Sequence, residues 1–301
     1  MDTLPVTLAA DIAHNAAMCV MVHSAYTTAP ALLNASCTPG SRSTVDVNEG
    51  GIGIASKASG GSITGRYLNR HINGPIAVFA TPVGTPTLKS VAVFGDSIAA
   101  GANDSTTGGG LTGFIQRSLA TTAVGVAYST TAQSGYSWNA AFSGSPSDDF
   151  IRKAQIIKDG AYTHALMCLG GNDVKDGVTA ASIQTRMLAA KAWFLARGIK
   201  MIPMTGLPRT NSTNTGANSS DAAGAMTEYL QMNDNIRNNV GGVSEFGYFD
   251  RHVALADPGD PTRWRTDLGG NVYDADGIHL TTLGHTTLTN ALSAAAPTLF
   301  T

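Results

Sequence analysis

The sequence contains few cysteines and no long apolar run, and each absence excludes a class of protein. It has 3 cysteines among 301 residues, too few for a disulfide framework. Cys168 lies in an apolar segment and is predicted to be a small core residue, whereas Cys19 and Cys37 could pair in an oxidising compartment. The chain has no run of about eighteen apolar residues, so no membrane-spanning helix is predicted.

Charge of either sign is also scarce. Charged residues make up 13% of the chain and the formal net charge is −2, which predicts no binding surface for nucleic acid or for an anionic membrane. The start at Met1 and the apolar stretch 5–22, which contains Asp11 and His14, do not form a signal-peptide pattern. The 34 glycines, with abundant alanine, serine, threonine and asparagine, favour a secreted or particle-borne protein with many loops.

The segment 81–87, which contains two prolines and a glycine, separates two parts of different pattern. This composition excludes a continuous helix or a central strand. Before it, short apolar runs lie among glycine-rich turns, so residues 1–85 are predicted to form a small, β-rich accessory region. Residues 88–301 are predicted to form a second, larger domain.

In this larger domain, predicted strands alternate with predicted helices. The predicted strands are 90–95, 123–128, 164–169, 199–204 and 246–250. The predicted helices are 111–120, 148–159, 181–197, 222–239 and 281–295, the last with Leu283, Leu288 and Leu292 facing inward. This alternation predicts an α/β fold of three layers, in which helices cover both faces of a parallel, flavodoxin-like sheet with strand order 2-1-3-4-5.

Three polar motifs lie where strands or loops meet the carboxyl edge of that sheet. Gly95-Asp96-Ser97 follows the first strand and Gly170-Gly171-Asn172-Asp173 follows the third. These two strands are neighbours in the predicted order, so both motifs open into one crevice. Asp276-Gly277-Ile278-His279 precedes the last helix and can fold over the same edge. Together the motifs contain the side chains of a serine esterase.

The motifs resemble the sequence blocks of the SGNH hydrolases, also called the GDSL esterase/lipase family. Phe94–Ile98 is similar to the first block, Gly171–Asp173 to the third and Asp276–Leu280 to the fifth. The second block, a loop glycine, is similar to Ser134-Gly135, although Gly125 and Gly144 lie nearby. The resemblance covers residues 90–297.

The resemblance and the chemistry together imply a role for each residue. Ser97 would be the nucleophile, His279 the base that takes its proton, and Asp276 the carboxylate that orients the imidazole. The backbone N–H groups of Ser97 and Gly135 and the side-chain amide of Asn172 would stabilise the oxyanion. The family implies no metal and no organic cofactor.

Several other polar and aromatic residues have alternative interpretations. Asp250-Arg251-His252 is a weaker rival for the base, and Asp274 is a rival for Asp276. Asp96 and Asp173 are interpreted as residues that brace loops rather than as acids. Three aromatic residues could line the substrate cleft or pack in the core: Tyr136, Trp138 and Trp264.

The predicted function is hydrolysis of short-chain acyl esters, acetyl above all, through an acyl-enzyme on Ser97. The expected partners are small ester substrates, with acetylated carbohydrates suggested by family members that have β-rich appendages. One alternative is a lipase, lysophospholipase or thioesterase acting on longer acyl chains, since the same triad serves these reactions. An alternative of another class is a non-catalytic carbohydrate-binding or phage-structural protein with a relict fold.

Overall fold

The computed structural model describes residues 35–36, 71–72, 89–105, 113–120, 126–154, 157, 162–267, 273–274 and 276–301. The chain divides into two compact units, one of Met1–Cys37 with Asn48–Thr87 and the other of Thr38–Val47 with Leu88–Thr301. In the first unit, β1 (Ala35–Ser36) and β2 (His71–Ile72) pair antiparallel. The rest of the predicted β-rich region 1–85 lies outside the described residues, so this region and the domain boundary after it stay predictions.

A parallel sheet forms the centre of the second unit. Its strands are β3 (Ser90–Gly95), β4 (Ala127–Thr130), β5 (His164–Cys168) and β6 (Lys200–Pro203), in the order β4-β3-β5-β6. Every neighbouring pair is parallel. Counted from β3 this order is 2-1-3-4, so the predicted parallel α/β fold is confirmed.

The helices alternate with these strands along the chain. Those that the structure describes are α1 (Phe114–Leu119), α2 (Trp138–Ala141), α3 (Asp148–Lys153), α4 (Gly171–Lys175), α5 (Ala180–Leu195), α6 (Ala225–Arg237), α7 (Arg251–Leu255) and α8 (Thr282–Leu299). Four of them begin at a hydroxyl cap that accepts a hydrogen bond from a backbone N–H in the first turn: Ser137, Ser147, Thr179 and Thr281. None of the described helices has the length and apolar content needed to cross a membrane.

The two faces of the sheet are buried by different helices, because side chains alternate along each strand. On one face, Val91 and Val93 of β3 belong to a buried cluster with residues of α1 and α8, among them Phe114 and Leu288. On the other face, the ring of Phe94 lies 5.1 Å from that of Phe150 in α3 and 5.7 Å from that of Phe194 in α5. The sheet is therefore the middle of three layers.

The predicted strand 246–250 is wrong as an extended element. Phe249 alone pairs with the sheet, through a parallel bridge to Met204 beside β6. Gly247 has a φ of 99°, which interrupts the extended backbone just before this bridge. Asp250 ends it, because its side chain accepts a hydrogen bond from the N–H of Val253 and begins α7. At the edge of the sheet beside β6, the single bridged residue Phe249 therefore takes the place of the predicted fifth strand.

The last helix differs from the prediction in its end and in one inward residue. α8 continues through Pro297 to Leu299, because Ala296, Leu299 and Phe300 are all buried at its carboxyl end. Leu288 and Leu292 face inward as predicted, but Leu283 is 39% exposed. The buried stripe of α8 begins at Gly284 and His285 instead, and Leu283 lies beside that stripe.

Candidate active site

Ser97 lies in a tight turn at the carboxyl end of β3. The Asp96 side-chain Oδ1 accepts hydrogen bonds from the N–H of Ile98 at 3.0 Å and of Ala99 at 3.4 Å. A Cβ on Gly95 would lie 2.2 Å from the Cβ of Ala99, so the turn can fold back onto the strand only because residue 95 is glycine. Asp96 therefore braces the turn from which the Ser97 hydroxyl projects.

Arg251 is buried beside this turn and supports it from the end of the sheet. Its Nε donates to the carbonyl oxygen of Thr205 at 2.7 Å, and its Nη1 donates to Sγ of Cys168 at 2.8 Å. Burial raises the pKa of Asp96, although the positive charge of Arg251 and the two backbone N–H groups lower it in part. The carboxyl of Asp96 is thus largely enclosed in protein, where it accepts from the amides of the turn.

His279 and Asp276 complete a chain of hydrogen bonds from the Ser97 hydroxyl. Oγ of Ser97 lies 2.9 Å from Nε2 of His279, and Nδ1 of His279 lies 2.8 Å from Oδ2 of Asp276. An ionised carboxylate can only accept, so the proton between them belongs to Nδ1. Nε2 is then free to accept the proton of the Ser97 hydroxyl.

Asp276 is held as an ionised acceptor. Its Oδ1 accepts from the N–H groups of Ile278 at 2.9 Å and of His279 at 2.7 Å, which leaves Oδ2 for the imidazole. Partial burial by itself raises the pKa of Asp276, but the hydrogen bonds from the ring and the N–H groups outweigh burial and lower the pKa. The carboxylate therefore stays charged where an imidazolium would form.

The loop between Asp276 and His279 has room for glycine alone at position 277. Gly277 has a φ of 84°, and a Cβ there would lie 2.1 Å from the carbonyl oxygen of Thr210. The carbonyl oxygen of Gly277 accepts from the N–H of Thr210 at 2.8 Å and from Nε1 of Trp264 at 3.1 Å. Trp264 is fully buried, so it supports this loop from the core and does not line a cleft.

The rival residues for the base and the carboxylate have other contacts. His252 lies between Nη2 of Arg237 and the carbonyl oxygen of Pro261, and Asp250 pairs with Arg237 and caps α7. Asp274 accepts from the N–H of Gly277 rather than from the imidazole of His279. Burial raises the pKa of Asp274, and the negative charge of Asp276 adds to that rise.

Asn172 and Asp173, in the first turn of α4, hold the loop that contains Gly135. Nδ2 of Asn172 donates to the carbonyl oxygen of Tyr136 at 2.9 Å. The carboxylate of Asp173 accepts from the N–H groups of Trp138 and Asn139, both at 2.8 Å. Burial raises the pKa of Asp173 to about 6 against the lowering effect of these two bonds. The rings of Tyr136 and Trp138 are buried, so these residues anchor the loop.

A pocket of 220 Å³ brings most of the candidate residues to one surface. Ser97, Gly135, Asn172 and His279 all line it, and Asp276 lies directly behind His279. In the described part of the chain, no group accepts a hydrogen bond from the backbone N–H of Ser97 or of Gly135. Asn172 also has a second amide hydrogen beyond the one given to Tyr136. Gly144 does not line the pocket, and Gly125 lies outside the described residues.

The pocket also contains cationic residues that the sequence motifs did not indicate. Lys175, Arg209 and Arg251 line it together with Asp96. Arg209 follows the carboxyl end of β6, the fourth strand of the sheet, by a few residues. Sites form outside the carboxyl ends of parallel strands, so the position of Arg209 after β6 was the one sequence feature that could have indicated it as a pocket residue. Within the described ranges, no three His, Cys, Asp or Glu side chains are grouped so that they could hold a metal ion.

Comparison with known proteins shows the family and the fold of the chain. The model of the GDSL-like Lipase/Acylhydrolase family matches residues 93–287. No curated protein sequence matches the chain. Among solved structures, a carbohydrate acetylesterase family member from Sinorhizobium meliloti is 14% identical with a TM-score of 0.50, covering 71% of this chain and 99% of that one.

A second solved structure, a putative acylhydrolase from Bacteroides fragilis, has the same fold. It is 15% identical with a TM-score of 0.51, and the match covers 73% of this chain and 92% of that one. The resemblance of the sequence blocks to the GDSL family is therefore confirmed over most of the second unit. The chain belongs to the GDSL-like lipase/acylhydrolase family of ester hydrolases.

Proposed function

We propose that the protein is a serine esterase that hydrolyses short acyl esters through an acyl-enzyme on Ser97. The observation that supports this most strongly is the continuous chain of hydrogen bonds from Ser97 through His279 to Asp276, at 2.9 Å and 2.8 Å. A serine hydroxyl is a weak nucleophile until a base removes its proton, and a base works best when a third group orients it. All three groups are in contact here.

In the proposed reaction, Oγ of Ser97 attacks the ester carbonyl carbon while Nε2 of His279 takes the hydroxyl proton. The tetrahedral intermediate collapses, and the imidazolium returns that proton to the departing alkoxide, which leaves as an alcohol. A water molecule then repeats the sequence on the acyl-enzyme. The negative charge of Asp276 stabilises the imidazolium in both halves.

The oxyanion of each tetrahedral intermediate requires hydrogen-bond donors, which we assign to Ser97, Gly135 and Asn172. Two are backbone N–H groups with no acceptor in the described structure, and the third is an amide held in place by Tyr136. Donors fixed before the reaction stabilise developing charge without reorganisation, and each is typically worth about 10²–10³ in turnover.

The size of the pocket favours a short acyl group. Its volume is 220 Å³, whereas pockets that enclose drug-sized ligands span about 300–1,000 Å³. Acetyl fits this space better than the chain of a fatty acid. Acetylated carbohydrates are the proposed substrate class, which is also the class named for the Sinorhizobium meliloti structure.

The test is the acyl chain-length profile on p-nitrophenyl acetate, butyrate and octanoate, with the Ser97→Ala variant as the blank. We expect kcat/KM to fall from acetate to octanoate and the blank to show background hydrolysis only. A maximum on octanoate would contradict the short-chain proposal and favour a lipase or thioesterase. Equal rates in the protein and the blank would contradict esterase function and favour a non-catalytic role.

A further inference from the structure

We propose that the pocket binds a carboxylate of the ester substrate through Arg209, so that the preferred substrates are acyl esters of acidic molecules such as sugar acids. This proposal rests on the proposed esterase function and specifies its substrate class. It concerns a residue outside the three sequence motifs.

The guanidinium of Arg209 is buried and fixed in one orientation. The residue is 7% exposed, and its partner Asp221 is similarly enclosed, with 6% of its side chain exposed. Nε of Arg209 lies 3.2 and 2.9 Å from the two carboxylate oxygens of Asp221, and Nη2 lies 2.8 Å from Oδ1. A two-point contact of this kind leaves the planar group little freedom to rotate.

The third nitrogen of Arg209, Nη1, has no partner in the part of the chain that the structure describes. Asp221 accepts hydrogen bonds from Nε and Nη2 of Arg209 only. Nη1 lies 4.0 Å from the point where a Cβ on Gly171 would stand, and Gly171 directly precedes Asn172 on the pocket wall. A fixed donor with two hydrogens therefore lies on the pocket wall beside the residue assigned to the oxyanion.

A positively charged donor such as Nη1 suits an anionic partner. Lys175, Arg209 and Arg251 line the pocket with Asp96, while Lys175 also pairs with Asp176 and Arg209 with Asp221. Oδ1 of Asp96 accepts from the turn amides, and burial raises the pKa of this carboxyl although the charge of Arg251 opposes the rise. A carboxylate on the substrate would give Nη1 an ionised acceptor, and bonds to ionised groups are about twice as strong as neutral ones.

The direct test compares two substrates that differ only in this charge: O-acetylated glucuronic acid and its O-acetylated uronamide, with acetate release as the readout. We expect kcat/KM to be about 10- to 100-fold higher for the acid, the range for a hydrogen bond to a charged group. The comparison uses the unaltered protein, so it does not depend on whether a variant folds.

Variants then assign the preference to Arg209. Arg209→Gln alone would leave Asp221 buried without a partner, so it is combined with Asp221→Asn, which removes both charges together. We expect the acid-to-amide ratio to fall to near one in this double variant. Arg263→Gln is the matched control, because Arg263 forms an exposed pair with Asp260; this variant is expected to keep the ratio.

The outcomes separate this proposal from the esterase proposal. If p-nitrophenyl acetate is hydrolysed in a Ser97-dependent manner but the acid and the amide react equally, or neither reacts, the carboxylate proposal is wrong and the esterase proposal stands. A preference for the acid that persists in the double variant would also overturn the role of Arg209. Absence of Ser97-dependent hydrolysis of every ester would reject both.

Discussion

Replacement of Ser97 by alanine is expected to lower kcat for p-nitrophenyl acetate by about 10⁴- to 10⁶-fold, the range for loss of a serine nucleophile. The substitution removes one oxygen atom, whose hydrogen bond in the structure is to His279. The turn itself depends on Asp96 and Gly95 instead. The expected loss is therefore chemical, and circular dichroism and the melting temperature should stay close to those of the unaltered protein.

Ser134→Ala is the matched control for this experiment. Ser134 also lines the pocket, beside Gly135, but His279 does not contact it. We expect its kcat to stay within about tenfold of the unaltered protein, since it lies outside the hydrogen-bonded chain. If Ser97→Ala retained activity while Ser134→Ala lost it, the nucleophile would have to be reassigned.

Asp276→Asn is expected to lower kcat by about 10⁴-fold, as loss of the charge and of the correct tautomer does in other serine hydrolases. The carboxylate now accepts the Nδ1 proton of His279. An amide nitrogen in that place would donate instead, which would move the imidazole proton to Nε2, where it could no longer accept from Ser97. The measurement is kcat and KM on p-nitrophenyl acetate, and the loss should appear in kcat.

Asp274→Asn is the control for Asp276, because the two carboxyls lie in the same loop. Asp274 accepts from the N–H of Gly277, and an asparagine oxygen can accept the same bond. Burial and the negative charge of Asp276 also raise the pKa of Asp274, so its charge is disfavoured at this site. We expect little change in kcat. A large loss in Asp274→Asn with none in Asp276→Asn would reverse the two roles.

The meeting of the motifs was predictable because the alternation of strands and helices indicates a doubly wound parallel sheet with a known strand order. Apolar runs such as 90–94 form buried parallel strands, and motifs directly after neighbouring strands must open at one edge. Ser97 can contact His279 because both motifs lie at that edge and because the turn at Gly277 positions His279 there.

Other features depend on contacts between distant residues and were not predictable in this way. The run 246–250 has the composition of a strand, but Gly247 and the cap at Asp250 confine its pairing to Phe249. No sequence motif indicates Arg209, because its side chain is positioned by Asp221, which lies twelve residues further on in a loop. Trp264 had two interpretations until its bond to Gly277 placed it in the core.

The measurement that tests the central claim most directly is labelling of the intact protein with diisopropyl fluorophosphate, followed by mass spectrometry of its peptides. An activated serine displaces fluoride and keeps the phosphoryl group, so each labelled residue is identified by mass. The account predicts one adduct, on Ser97, that is absent in Ser97→Ala and strongly reduced in His279→Ala. An adduct on a different residue, or labelling of Ser97 that does not depend on His279, would contradict it.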